Sequence, residues 1–169
     1  APVFQDYRLF AYRIRENLCF DNPYDGPKAE RLMEEFSIAD KIRSLPLGVE
    51  QYVGKGYEES GVSFSGGESQ KLAIIRALLK EEARCLVLDE PTAALDPLAE
   101  MELYQKIRQL SGEKACVFIT HRLAGIRFAD RILYFKGGRI VEEGSCQALL
   151  ERRGYFYDFY QIQAKLYRN

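Results

Sequence analysis

The stretch Cys85-Leu86-Val87-Leu88-Asp89-Glu90-Pro91-Thr92 decides the fold. Four apolar residues in a row, with no polar residue between them, predict a β-strand covered on both faces, as strands of parallel sheets are. Two acids follow at once. In open α/β sheets the ligand crevice lies at the carboxyl ends of the strands. A carboxylate at Asp89 can hold Mg²⁺ directly or through water, because that ion prefers hard oxygen ligands and keeps part of its water shell. Glu90, one residue on, can polarise a water for attack. A strand that simply ends in solvated acids would read the same in isolation.

Outward from this stretch the pattern alternates. On the carboxyl side, Asp96-Pro97 supplies an N-cap and a first-turn proline. Leu98, Met101, Tyr104, Ile107 and Leu110 then recur on one helix face. Cys116-Val117-Phe118-Ile119 predicts a second buried strand. Ile132–Phe135 and Arg139–Val141, split by Gly137-Gly138, predict a hairpin. Phe156, Phe159, Ile162 and Leu166 line one side of a last helix, as core or partner packing. On the amino side, a helix runs from near Gly67 to about Lys80 and carries Leu72, Ile75, Ala77 and Leu79. Residues 46–67 hold six glycines and no clean period, which predicts a long loop. Ile38, Ile42 and Leu45 suggest a short helix ending at Pro46. Before it, Pro27 opens a helix with Ala29, Leu32, Met33 and Phe36 on one face. The expectation is a mostly helical first half and an α/β second half with a parallel sheet.

Composition agrees with one packed domain. The chain has 169 residues, is 47% hydrophobic and has a net charge of -1. That apolar content excludes disorder, and the balanced charge gives no nucleic-acid footprint. No apolar run approaches the roughly 18 residues of a membrane span. The four cysteines, Cys19, Cys85, Cys116 and Cys146, are widely spaced, against a zinc site or a disulfide framework. Cys85 and Cys116 lie in the apolar runs and are expected to be buried thiols.

Three more features carry possible chemistry. In Ser65-Gly66-Gly67-Glu68, two glycines let backbone N–H groups approach an anion, Ser65 adds a hydroxyl, and a helix starts there. A plain helix N-cap would show the same tetrapeptide. His121, the only histidine, follows the strand 116–119 through Thr120. It can be a structural residue or a member of the same crevice. Gln5 follows Val3-Phe4 at what could be another strand end, as an uncharged contact for water or metal.

Together these residues resemble the ATP-binding cassette (ABC) ATPases. Phe64-Ser65-Gly66-Gly67-Glu68-Ser69-Gln70-Lys71 is similar to the family signature LSGGQxQR. Cys85–Thr92 resembles Walker B, Ala93-Ala94-Leu95-Asp96 the D-loop, Ile119-Thr120-His121-Arg122 the H-loop, and Val3-Phe4-Gln5-Asp6 the Q-loop. The order is the family's, and the motifs span nearly the whole chain. The resemblance implies ATP and Mg²⁺ as ligands. It implies that Asp89 holds Mg²⁺ with Gln5, that Glu90 is the general base and that His121 contacts the γ-phosphate. Ser65, Gly66 and Gly67 would touch the γ-phosphate of ATP held by a second cassette, and Asp96 would lie at that interface. Glu68 stands where the family has Gln, which places a negative charge at the signature and would weaken binding there. Lys71 for Arg keeps the charge and loses bidentate geometry.

The phosphate-cradling loop G-x-x-x-x-G-K-[ST] has no match. The one Gly-Lys pair, Gly54-Lys55, is followed by Gly56. The expectation is therefore the carboxyl-terminal part of a cassette, with a P-loop NTPase (ABC-type) α/β fold seen in part. Residues about 6–82 would form the helical subdomain with the signature, and about 83–169 a catalytic-core portion. Tyr7–Leu18 resembles the exporter pattern RLFxxTIRENI, and Val53–Gly56 the exporter VGExG loop. These imply a transmembrane-domain partner, a second nucleotide-binding domain and a place at the cytoplasmic face of the membrane. The alternatives are a non-hydrolysing cassette fragment acting as a binding module and a soluble ABC ATPase.

Overall fold

The capping chemistry of the first half explains where its helices begin. The computed structural model describes all residues except 21, 55–59, 93–96 and 167–169. Helix α1 (Ile14–Cys19) starts where the Glu16 carboxylate accepts the Arg13 N–H at 2.8 Å. Asn17 in this helix is buried and holds the turn before it, donating to the Phe10 carbonyl and accepting the Phe10 N–H. Helix α2 (Gly26–Glu35) is capped by Asp25, whose carboxylate accepts the Lys28 N–H at 3.0 Å. It ends in a Schellman motif: the Ile38 N–H reaches the Met33 carbonyl and the Ser37 N–H reaches Glu34. Ser37 takes φ +52° there, a position glycine usually fills. Helix α3 (Ala39–Ser44) follows.

The chain divides into two compact units, Ala1–Ala94 with Lys106–Ile119, and Leu95–Gln105 with Thr120–Asn169. In the first, helix α4 (Gly66–Leu79) is central and buries Leu72, Ile74, Ile75 and Leu78. It packs against α1, α2 and strand β1 (Pro2–Val3). Strands β2 (Cys85–Asp89) and β3 (Ala115–Ile119) complete a parallel sheet of order β1-β2-β3. The long glycine-rich connection holds local structure: a 3-10 turn spans Gly48–Glu50, and bridges join Tyr52 to Arg13 and Val53 to Val62.

The sheet corrects one expectation. Strand β3 is not covered on both faces, and in β2 the face that carries Val87 is only half-buried. Leu86 and Leu88 are buried, as is Val3 beside Leu88, and their face is continuous with Cys116 and Phe118. On the opposite face Val117 is 47% and Ile119 50% exposed. Among the described residues of this unit the sheet has three strands, and its second side is covered least at β3. Cys85, on the opposite face, and Cys116, beside Leu86, are half-buried rather than buried.

In the second unit, strands β4 (Ile132–Lys136) and β5 (Arg139–Gly144) form the expected hairpin. Gly137 and Gly138 turn it with φ of +57° and +74°, a conformation that side chains disfavour. Helices α5 (Pro97–Leu110) and α6 (Leu123–Ile126) precede it in the chain, α5 running on into the first unit, and α7 (Cys146–Arg152) and α8 (Tyr155–Leu166) follow it. The core joins Ile126, Leu149 and Phe156 to Ile132, Tyr134 and Phe159. The Glu142 carboxylate of β5 accepts the Phe156 N–H at 2.6 Å and so caps α8. The stripe of α8 is only partly core: Phe156 is buried, whereas Ile162, a turn and a half on, is 62% exposed.

Candidate functional site

Sheet register brings Gln5 and Glu90 together. Val3 pairs with Leu88 in the parallel β1–β2 ladder, so Gln5 and Glu90, each two residues further on, come abreast. The Gln5 amide donates from Nε2 to Glu90 Oε2 at 3.1 Å. Asp89 closes β2 opposite Ile119, and the Glu90 N–H bonds the Ile119 carbonyl at 2.9 Å. Glu90 has φ +45°, a left-handed conformation that few non-glycine residues adopt. The Gln5-Asp89-Glu90 corner thus sits at the carboxyl end of the strands, where such sheets bind ligands.

The glycine turn is tied to this corner from two directions. Ser65 caps α4: its hydroxyl accepts the Glu68 N–H at 3.3 Å while Glu68 Oε2 accepts the Ser65 N–H at 2.8 Å. Tyr7, two residues after Gln5, donates its hydroxyl to the Gly66 carbonyl at 2.7 Å, and burial raises its pKa. Gln70, one turn into α4, is buried and donates to the Pro91 carbonyl, next to Glu90. A Cβ at Gly67 would meet nothing within 4 Å, so the turn is open on that side. Glu68 is not a bare charge. Lys41 of α3 bonds its carboxylate at 2.6 Å, and that contact, then the Ser65 N–H, holds its pKa below the usual carboxylate range.

His121 is exposed and belongs to the second unit, two residues beyond β3. The next residue, Arg122, forms an ion pair at 3.1 Å with the fully buried Glu100 of α5. Asp96, with Ala93, Ala94 and Leu95, lies outside the described residues.

Tyr7, Lys41 and Gln70 are the residues that pattern reading passed over. Gln70 carried a signal, since it is the one glutamine of the octapeptide that begins at Phe64, at the place of the second Gln of LSGGQxQR, and shares a helix face with Leu78. Lys41 and Tyr7 carried none, because their partners are 27 and 59 residues away.

Oxygen donors suited to a hard cation are present at the corner. Asp89 offers a carboxylate, and Gln5, with Nε2 turned to Glu90, keeps Oε1 for a ligand. Among the described residues no group of three or more His, Cys, Asp or Glu could hold a metal ion. Two protein oxygens suit Mg²⁺, which commonly completes its shell with water and substrate phosphate.

A parallel strand ending in paired acids, with a capped glycine turn bonded to it, defines a nucleotide-binding α/β protein of the ABC transporter family. The profile of that family, described as ABC transporter, matches residues 1–93, and the chain belongs to it. It is 40% identical over 166 residues to an ATP-dependent lipid A-core flippase of Syntrophus aciditrophicus, covering 96% of this chain and 26% of that protein. It is 36% identical over 166 residues to the heterocyst differentiation ATP-binding protein HepA of a Nostoc species, again covering 96% and 26%. A solved structure of a bacterial Atm1-family ABC exporter with ATP bound superposes with a TM-score of 0.81 at 33% identity, over 97% of this chain and 28% of that one. The fold is therefore that of an exporter nucleotide-binding domain, a P-loop NTPase fold with a parallel-sheet portion and helices. The chain spans about a quarter of the length of the curated relatives it matches.

Proposed function

We propose that these residues form the carboxyl-terminal share of a cassette that hydrolyses ATP and couples hydrolysis to export across a membrane. The observation that carries the reading is the Gln5–Glu90 hydrogen bond at the strand ends. It presents one carboxylate held by an amide next to a second carboxylate suited to a cation. In this reading residues 6–82 are the helical subdomain, with the signature at Ser65–Glu68, and residues 83–169 are the catalytic-core portion.

Glu90 is the general base. It accepts the proton of a water that attacks the γ-phosphorus of ATP, while the bond to the β-phosphate bridging oxygen breaks. Gln5 orients that carboxylate and, with Asp89, holds Mg²⁺, which when bound neutralises phosphate charge. His121 contacts the γ-phosphate. Ser65, Gly66 and Gly67 offer the positive end of α4 to the phosphate of ATP on a second cassette, and Asp96 lies at that interface. A transmembrane domain docks on the first unit. Support for this is a cleft of about 610 Å³ rimmed by Phe4, Phe10 and Phe20, which are 59%, 48% and 44% exposed. No described helix is long and apolar enough to cross a membrane, so in this reading the spans belong to the partner domain and the cassette works at its cytoplasmic face.

The test is phosphate release by a complete cassette carrying these residues together with a phosphate loop. Saturable, magnesium-dependent turnover that Glu90→Gln abolishes is the expected result. Turnover unchanged by Glu90→Gln would overturn the assignment.

A further inference from the structure

The octapeptide that begins at Phe64 carries an acid, Glu68, at the position where its own capping chemistry needs an acceptor. That acceptor serves two ends at once. It closes the capping box by taking the Ser65 N–H at 2.8 Å, and it places a full negative charge beside a turn read above as meeting a phosphate. An amide would close the same box without the charge.

Lys41 answers that charge. Its Nζ lies 2.6 Å from Glu68 Oε2, the oxygen that also takes the Ser65 N–H, and 5.1 Å from the centre of the Phe64 ring. Both ends of the signature turn, Phe64 before Ser65 and Glu68 after Gly67, therefore face one ammonium. The other cation near the end of α3, Arg43, is engaged by Glu30, Glu34 and Asp40. The side chains of Lys41 and Glu68 are 35% and 28% exposed. A pair this exposed contributes little to stability, so its main consequence is the field at the turn.

We infer that Lys41 is a positioning residue for nucleotide capture: it cancels the charge of Glu68 and keeps the Ser65–Gly67 turn able to accept the γ-phosphate of ATP on a facing cassette. The inference rests on the reading of that turn given under Proposed function. It makes the net charge of the pair, rather than either residue, the quantity that sets ATP-driven pairing of cassettes.

The experiment uses the complete transporter that carries this chain, with KM for ATP, kcat and ATP-dependent cassette pairing measured for four proteins. Lys41→Met leaves the pair at net -1, so KM rises about three- to tenfold and pairing weakens, the scale of one charge acting through partly aqueous surroundings. kcat at saturating ATP changes far less. Glu68→Gln leaves net +1 and moves KM the opposite way. Lys41→Met/Glu68→Gln restores neutrality and returns KM to within about twofold of the unsubstituted protein, a non-additivity that only a direct interaction gives. Recovery in the double variant also shows that Lys41→Met did not merely unfold α3. An unchanged KM in Lys41→Met, or a double variant as impaired as Lys41→Met, overturns the inference while leaving the cassette reading intact. Absence of ATP-dependent pairing in the unsubstituted protein overturns the cassette reading itself, and this inference with it.

Discussion

Glu90 stands in a backbone conformation that its side chain disfavours. A left-handed residue with a Cβ costs about 1–2 kcal/mol. Strain of this kind persists only where the surroundings over-determine it, and here they do. The N–H is fixed by the Ile119 carbonyl, the carboxylate by Gln5 Nε2, and the next carbonyl by Gln70. Such bracing suits a base that must not swing away from its water. Two substitutions at neighbouring positions separate the roles. In a complete cassette, Glu90→Gln lowers turnover about 10²–10⁴-fold, the usual loss for a general base, while ATP-driven pairing persists. Asp89→Asn weakens cation binding, so pairing and turnover fall together. Phosphate release and cassette pairing measured side by side give the contrast. Near-normal turnover in Glu90→Gln would pass the role to another group, His121 first. Glu68 provides a pH test at the same scale. Its pKa is lowered in the fold, by Lys41 first and the Ser65 N–H second, so its contribution to stability is complete above the ordinary glutamate value of about 4.3. That contribution is lost as pH falls through the lowered folded value. Urea midpoints of the complete cassette measured across acid pH therefore fall less steeply in Glu68→Gln. Parallel profiles would show that the pairing does not couple to folding.

At the scale of elements, what was legible was what is local. The apolar run 85–88, the Pro27 start, the Gly137-Gly138 turn and the glycine turn before α4 each announce themselves within a few residues, and each element formed there. The carboxyl-end placement of Asp89 and Glu90 followed from the run itself. Long-range pairing was not legible. Apart from the family resemblance, nothing near Gln5 in sequence points to Glu90, 85 residues on; the ladder register Val3–Leu88 makes that contact. Burial failed for the same reason, since an apolar strand reads as buried whether or not a second layer covers it. Val117 and Ile119 are the case in point. The end of α2 offers an element-scale test. Ser37 holds the left-handed position of the Schellman motif at φ +52°. Ser37→Gly removes the Cβ penalty and is expected to stabilise the cassette by about 1 kcal/mol. A denaturant titration with unchanged slope and a higher midpoint is the expected result. A lower midpoint would mean that the Ser37 side chain contributes more than its backbone costs.

For the molecule as a whole, the exposed apolar side chains decide how the 169-residue chain behaves alone. In the first unit the face of β3 carrying Val117 and Ile119 lies open beside the packed face. In the second unit the hairpin leaves Leu133, Phe135 and Ile140 at 45%, 60% and 49% exposure. Contiguous exposed apolar surface on strands is where chains associate, and short strands with open edges add backbone groups to the same tendency. The open face of β3 adjoins the chemistry through the strand ladder: Ile119 pairs with Asp89 and its carbonyl accepts the Glu90 N–H. The chain also has no match to the loop whose backbone and lysine would hold the phosphates. Its acids would act on a substrate that nothing positions, and positioning alone supplies about 7–11 kcal/mol of a barrier. Two outcomes are expected of the purified 169-residue chain. It binds a hydrophobic dye or self-associates, and it releases no phosphate from ATP above the Glu90→Gln background. A monodisperse monomer with a cooperative melt and no dye binding would contradict the first. Saturable, magnesium-dependent turnover lost in Glu90→Gln would contradict the second, and would require a phosphate cradle built from residues other than the usual glycine loop.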